Sequence, residues 1–442
     1  MDVQPVTNYT NLCYTVSAMS SLDFICSYPE VVREALQRRR ETQNIDEILQ
    51  LAEQRRGLTT RNDDLYSSLK KLKEQASKAD EEKRVPLNQR IKATERDIRR
   101  VEVHISNVET QLQLQLLNLP NLPHQSVQEG DNDTHDVEVR RWGEPVSFHF
   151  TPHSHWEIGK RLDIIDMESG TKITGSRFVT LKGLGARLER ALISFMLDVH
   201  TREHGYTEIM PPQLVKPAVM QSAGQLPKFE NQAYLCSADT LYLNPTTTVP
   251  LVGLHSDEML TRDQLPLCYA AWATAFRREA GSTSLQTRDL LRLYQFNKVE
   301  LFQITTPEDS YNVLEQMVLH AEVILHRLEL PYRVVTLCTG KLPVVATKTY
   351  EIEVSLPTMN SYVGVSSASN CETFQAMRAN IKYRPTNGAR SAYVHTLNAS
   401  GLAVGRTMAA ILEIYQQADG SVVVPKVLRP YMGTSLLTPP KR

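Results

Sequence analysis

The sequence predicts an α+β architecture, a domain on an antiparallel sheet behind an N-terminal arm of two long helices, on three observations. Residues 45–117 repeat apolar side chains every seven positions. From about residue 140 the chain turns to short alternating runs mixed with amphipathic helices, as an antiparallel sheet with one face on a core requires. Between them lies a polar, acidic stretch, "QEGDNDTHD" (128–136), of linker character.

The arm comes first. Leu51, Leu58, Leu65 and Leu72 are seven apart, and after "SKADEEKRVP" the spacing resumes at Ile91, Ile98, Ile105 and Leu112, with Val101 and Val108 in the complementary slots. A short charged turn between two such helices makes them antiparallel neighbours. Each has about 30 residues, so the arm is ~45 Å long. Pro86 is expected in the first turn of the second helix, where a missing N–H is harmless, and the prolines of "LNLPNLPH" (117–124) end it.

In the second part "SRFVTLKG", "YTEIMPP", "YRVVTLC" and "TYEIEVSLP" read as strands. Leu188, Leu192, Met196 and Val199 form the stripe of a helix over 186–204, with Gly205 at its C-cap. In "FRREAGSTS" (276–284), strand alternation puts Arg277 and Glu279 on one face, and "AGSTS" reverses the chain. In "LLRLYQFNKVELF" (290–302) Arg292, Phe296, Lys298 and Glu300 share a face. An antiparallel pair would gather cations, carboxylates and a ring on one surface. In isolation Arg277 and Glu279 also fit a structural ion pair.

Composition narrows the function classes. With 41% hydrophobic residues, 22% charged and a net charge of −1, the chain carries no global basic field, so any nucleic-acid contact must be local. Cys13, Cys26, Cys236, Cys268, Cys338 and Cys371 form no CxxC pair, which argues for a reducing compartment and against a zinc site. No apolar run is long enough for a membrane span, so no membrane insertion is expected. Residues 1–22 are Ser/Thr-rich but lack Arg and Lys, leaving a flexible tail or a transit segment open.

The chain resembles the seryl-tRNA synthetases, class II aminoacyl-tRNA synthetases, from about residue 25 to 434. The matching stretches, in family order, are "LPNLPH" (119–124), "VEVRRWGEP" (137–145), "GSRFVTLKGLGARLERALISFMLD" (175–198), "GQLPKFE" (224–230), "FRREAGS" (276–282), "QFNKVE" (295–300), "LPYRVVTLCTG" (330–340) and "HTLNASGLAVGRT" (395–407). The expected division is a flexible tail or transit segment over 1–24, and the resemblance implies a coiled-coil tRNA-binding arm over 25–124 and a class II catalytic-like domain over 125–442, assembled as a dimer. It implies that Arg277 and Glu279 bind ATP, Phe296 stacks near adenine, Ser366 and Ser367 belong to the ATP site, and Arg406 holds the terminal phosphates. Serine is then held by Thr246, Glu300 and Ser400. Fixed guanidiniums suit phosphate, and a buried carboxylate suits an ammonium beside a hydroxyl.

Four departures stand out against the family pattern. Its serine-binding "TAE" reads Thr246-Thr247-Thr248, so Thr248 replaces a carboxylate. The acid used toward ATP and Mg²⁺ is Gly364, in "YVGVSSASN", with no acid in that stretch to replace it. Lys341 stands in "CTGK" where an acid is usual, and Pro343 stiffens the loop that follows. Two lost charged partners and a charge inversion would suppress activation by orders of magnitude. The expectation is therefore a catalytically inactive paralog, similar to a non-charging one of insect mitochondria, with no functional catalytic residue, metal or cofactor. Such a protein would bind tRNA in the mitochondrial matrix and pair with the active mitochondrial seryl-tRNA synthetase as a heterodimer, or with itself as a homodimer. The alternative is an active serine–tRNA ligase using ATP and Mg²⁺; activation for a carrier protein fits less well, because those relatives lack the long arm.

Overall fold

The computed structural model describes residues 21–279, 289–386 and 388–439; residues 1–20 of the tail read over 1–24 and the "AGSTS" turn at 280–284 lie outside them. The end of that tail is not flexible chain but enters a helix, Leu22–Ser27, capped by the Ser21 hydroxyl. The described chain divides into two compact units, one of residues 21–37 and 41–120, the other of 38–40 and 121–439.

In the first unit, α1 (Asp46–Lys78) and α2 (Glu81–Asn118) form the arm. Their pairing is antiparallel, because Arg55 meets Glu109, Tyr66 meets Glu102 and Lys73 meets Glu95. Leu51, Leu69, Leu72 and Ala76 pack with Ile98, Val101, Val108 and Leu112 in the buried seam. Leu58, Leu65, Ile91 and Ile105 are only half-buried, since a two-helix seam leaves one flank of each side chain open. Pro86 is not in the first turn as expected. The helix starts at Glu81, with the Asp80 carbonyl accepting from the amides of Lys83 and Arg84, so Pro86 is its sixth residue. The carbonyl freed by the proline lies on an exposed turn, where water can satisfy it.

The second unit is organised by one sheet: β1 (Val137–Trp142), β2 (Thr207–Glu208), β3 (Leu267–Phe276), β4 (Gln295–Thr305), β5 (Tyr332–Thr336), β6 (Lys348–Leu356), β7 (Ser361–Glu372) and β8 (His395–Ala403). Their order is β1-β5-β6-β7-β8-β4-β3-β2, antiparallel except where β2 runs parallel to β3. The central strands are buried on both faces because helices cover them. These are α3 (Leu184–Arg202), α4 (Thr248–Gly253), α5 (Ser310–Arg327) and α6 (Val404–Ile414). Leu188, Leu192, Met196 and Val199 of α3 join Val299, Leu301, Ala399, Met408 and Leu412 in the main core. The helix ends at Arg202, two residues before the predicted end, and Gly205 takes φ +74 as the Tyr206 amide donates back to the His200 carbonyl at 3.2 Å. That left-handed position favours glycine. No described helix is long and apolar enough to cross a membrane.

Candidate active site

The expected pairing of the two charged segments exists, with an adjustment. β3 and β4 are antiparallel with Phe276 opposite Gln295, so Arg277, Glu279 and Arg292 lie just past the strand ends rather than within them. The Arg277 amide donates to the Tyr294 carbonyl at 2.9 Å, which carries the ladder one step further. Glu279 adopts φ +47, a left-handed backbone that a non-glycine residue takes only under local constraint.

One cleft collects Arg277, Glu279, Phe296, Ser366, Ser367, Ser400 and Arg406, together with Arg292, Lys298, Glu351 and Gly364. Each cation is tethered. Arg277 Nε donates to the Pro245 carbonyl at 2.9 Å and its guanidinium lies 5.4 Å from the Phe296 ring centre. Arg406, in the first turn of α6, donates to the carbonyls of Leu291 (3.1 Å) and Gly364 (2.7 Å). Arg292 Nε donates to Glu279 Oε2 at 2.7 Å. Burial lowers the pKa of Arg277 and of Arg406 from the usual guanidinium value, countered chiefly by Glu279 for the first and Glu351 for the second. A guanidinium stays charged through such a shift. The cleft thus holds pre-placed guanidinium donors beside an aromatic face.

Beside it lies a smaller polar nest. Glu300 is fully buried and is ion-paired to Lys298. Thr246 Oγ1 accepts from Lys298 Nζ at 3.1 Å and donates to Glu300 Oε2 at 3.1 Å. Asn398 Nδ2 is 3.4 Å from the other oxygen. A bulge between Val299 and Glu300 sets Glu300 directly opposite Ser400 on β8, so Thr246, Glu300 and Ser400 converge although they are distant in sequence. Asn244 Nδ2 and Thr247 Oγ1 are buried here without a partner among the described residues, polar groups that a bound ligand could satisfy.

The four departures divide in two. Thr248 and Gly364 belong to this region: Thr248 is buried, its hydroxyl 3.4 Å from that of Thr246, and Gly364 lines the cleft. Lys341 and Pro343 do not line it. Lys341 pairs with Asp133 and Asp136; burial pulls its pKa down, but these two carboxylates overcome that and leave it raised. The Pro343 carbonyl accepts from Arg39 Nη2 at 2.8 Å. The supposed charge inversion in a substrate loop is a clamp between that loop and the 128–136 stretch.

Glu351, on β6, is the residue that reading the sequence missed. Its alternation with Glu353 in "TYEIEVSLP" was a signal, but only the register across strands shows where its carboxylate goes. Burial first, then the neighbouring Glu353, push its pKa up to about 7. The stretch 361–370 holds no acid to replace the one missing at 364, but the Glu351 carboxylate comes to that place from the adjacent strand.

Residues 19–123 match the profile described as the seryl-tRNA synthetase N-terminal domain, and residues 234–415 that of the tRNA synthetase class II core domain (G, H, P, S and T). A relative named serine–tRNA ligase from Carboxydothermus hydrogenoformans is 49% identical over 412 residues, 92% of this chain and 96% of its own length. Another of that name, from Geobacillus kaustophilus, is 51% identical over 415 residues, with the same coverage. A crystal structure of seryl-tRNA synthetase from Pyrococcus horikoshii complexed with ATP superposes with a TM-score of 0.88 at 32% identity, over 95% of this chain and all of that one. These matches overturn the expectation of a catalytically inactive, non-charging paralog, since the two relatives about half identical to this chain over nearly its whole length bear the name of the ligase; they lend no support to a mitochondrial description, and no heterodimer partner emerges from them. The fold is that of a class II synthetase with an N-terminal helical arm, and the chain belongs to the seryl-tRNA synthetase family.

Proposed function

We propose that the chain is a serine–tRNA ligase, which activates serine with ATP and transfers it to a serine-accepting tRNA. The observation that carries this reading is the convergence of Arg277, Phe296 and Arg406 on one cleft, with Thr246, Glu300 and Ser400 adjoining it. A ring with a cation beside it suits adenine, and guanidiniums already fixed by backbone carbonyls suit a polyphosphate. Glu300, kept in place by Lys298, suits an ammonium. In activation a serine carboxylate oxygen bonds to the α-phosphorus and pyrophosphate leaves. Donors that are in position beforehand stabilise the charge developing there without reorganising. Mg²⁺ is expected to accompany ATP.

The arm fits the tRNA side of this reading. Arg55, Arg56, Lys73 and Arg100 are engaged with carboxylates, whereas Lys70, Lys71, Arg96 and Arg99 are exposed and carry no ion pair among the described residues. These four are the candidates for phosphate contact, and each would add about one unit to the salt dependence of binding. Assembly as a homodimer completes the proposal. Serine-dependent exchange between ATP and pyrophosphate tests the central claim: exchange with serine but not with alanine or threonine is expected, and a purified, folded chain with none would overturn it.

A further inference from the structure

We propose that Glu351 supplies the carboxylate missing at position 364 and is this protein's own ligand to the divalent cation that accompanies ATP. The inference rests on the serine–tRNA ligase reading. β6 and β7 are antiparallel, with Glu351 opposite Ser367, Ile352 opposite Ser366 and, after a register shift, Glu353 opposite Gly364. The bulge leaves Val365 unpaired and draws Gly364 toward Glu351. A Cβ added at 364 would fall inside the van der Waals envelope of the Glu351 carboxylate. Glycine at 364 and the outstretched Glu351 are thus two halves of one arrangement, and the carboxylate lies where a side chain from 364 would begin.

Glu351 and Glu353 lie on the same strand but are treated differently. Glu353 accepts from Arg333 Nε at 2.6 Å. Glu351 lines the cleft with Arg406 and Ser367, and among the described residues it has charged neighbours but neither a hydrogen bond nor an ion pair. A carboxylate largely withdrawn from water without a donor is costly to keep ionised; a cation would remove that cost. Mg²⁺ with a nucleotide commonly takes one or two carboxylates and completes its shell with phosphate oxygens and water. Among the described residues no group of three or more His, Cys, Asp or Glu forms a closed metal site, so the cation would arrive with its nucleotide. The blander role for Glu351 is to balance Arg406 alone, which would alter metal-free ATP binding as much as metal-bound.

The test is binding, read by Mn²⁺ electron paramagnetic resonance in the presence of ATP and by calorimetry with AMP. Glu351→Gln is expected to weaken Mn²⁺·ATP about tenfold or more and to leave AMP affinity unchanged. The pair Glu351→Ala with Gly364→Glu is expected to recover most of the loss, by returning the acid to the other strand. Circular dichroism and melting of each variant establish that it folds, and Glu351→Asp, which keeps the charge, should fall between. Glu351→Gln binding Mn²⁺·ATP within about twofold of the parent, or losing metal-free ATP to the same extent, overturns the assignment while leaving the ligase reading in place. A parent chain that binds neither Mn²⁺·ATP nor AMP overturns both.

Discussion

Glu300 has no exposure to solvent, and its carboxylate is shared between Lys298 and the Thr246 hydroxyl. Replacing it with glutamine leaves a buried ammonium without its counter-charge, so Glu300→Gln should destabilise the protein by about 3 kcal/mol or more in urea unfolding. The double change Lys298→Met, Glu300→Gln should be less harmful than the single one, because no lone charge remains; an equal or larger loss would mean that the pair is not what holds this nest. A second residue-scale prediction concerns Glu372, which is 7% exposed. Burial pushes its pKa up to about 7 from 4.5, against the bond from the Tyr311 hydroxyl. The folded state therefore keeps a proton that the unfolded chain releases between those values. Its contribution is fully present below pH 4.5 and lost as pH rises to about 7, a change of about 3 kcal/mol. Glu372→Gln should flatten that part of the stability profile, measured by urea titrations across pH 4–8. Glu351 shows the limit of reading residues one at a time. Its identity and alternation were visible in the sequence, but the space it fills belongs to a glycine 13 positions later.

At the scale of elements, periodicity was a sound guide wherever one face of a helix meets a continuous partner. The seven-residue repeat located both arm helices, and the Leu188–Leu192–Met196 stripe located α3, because burial of a face is a local consequence of helical geometry. Element ends were less legible. Pro86 was expected to mark a beginning, but acidic Glu81 and Glu82 open the helix before it, where negative charge favours an N-terminus. Arg277 and Arg292 were read as strand residues, yet the ladder finishes beside them. Leu72 is a seam residue, 8% exposed. Leu72→Ala should lower the stability of the arm by about 2 kcal/mol, seen as faster proteolysis within 46–118, while serine-dependent exchange is retained and charging of tRNA falls. Loss of exchange along with charging would show that the arm and the cleft are not separable in function.

For the whole molecule, the division into two units makes a sharper prediction. Removing residues 46–118 should leave the sheet unit folded, with near-parental near-ultraviolet circular dichroism and pyrophosphate exchange, but without tRNA binding in a gel shift. Unfolding of the remainder, or unchanged tRNA affinity, would contradict it. The sequence by itself determined the class of architecture, the arm and the segments that bear the cations, because helix and strand periods and ordered motifs are local properties of a chain. Only the tertiary structure decided which departures matter. Lys341 looked like a charge inversion in a pocket and is a clamp on Asp133 and Asp136, while Gly364 looked like a bare loss and leaves room for Glu351. Both outcomes depend on which residues distant in sequence a strand register or a loop contact brings together, and a single bulge changes that pairing without altering any local pattern.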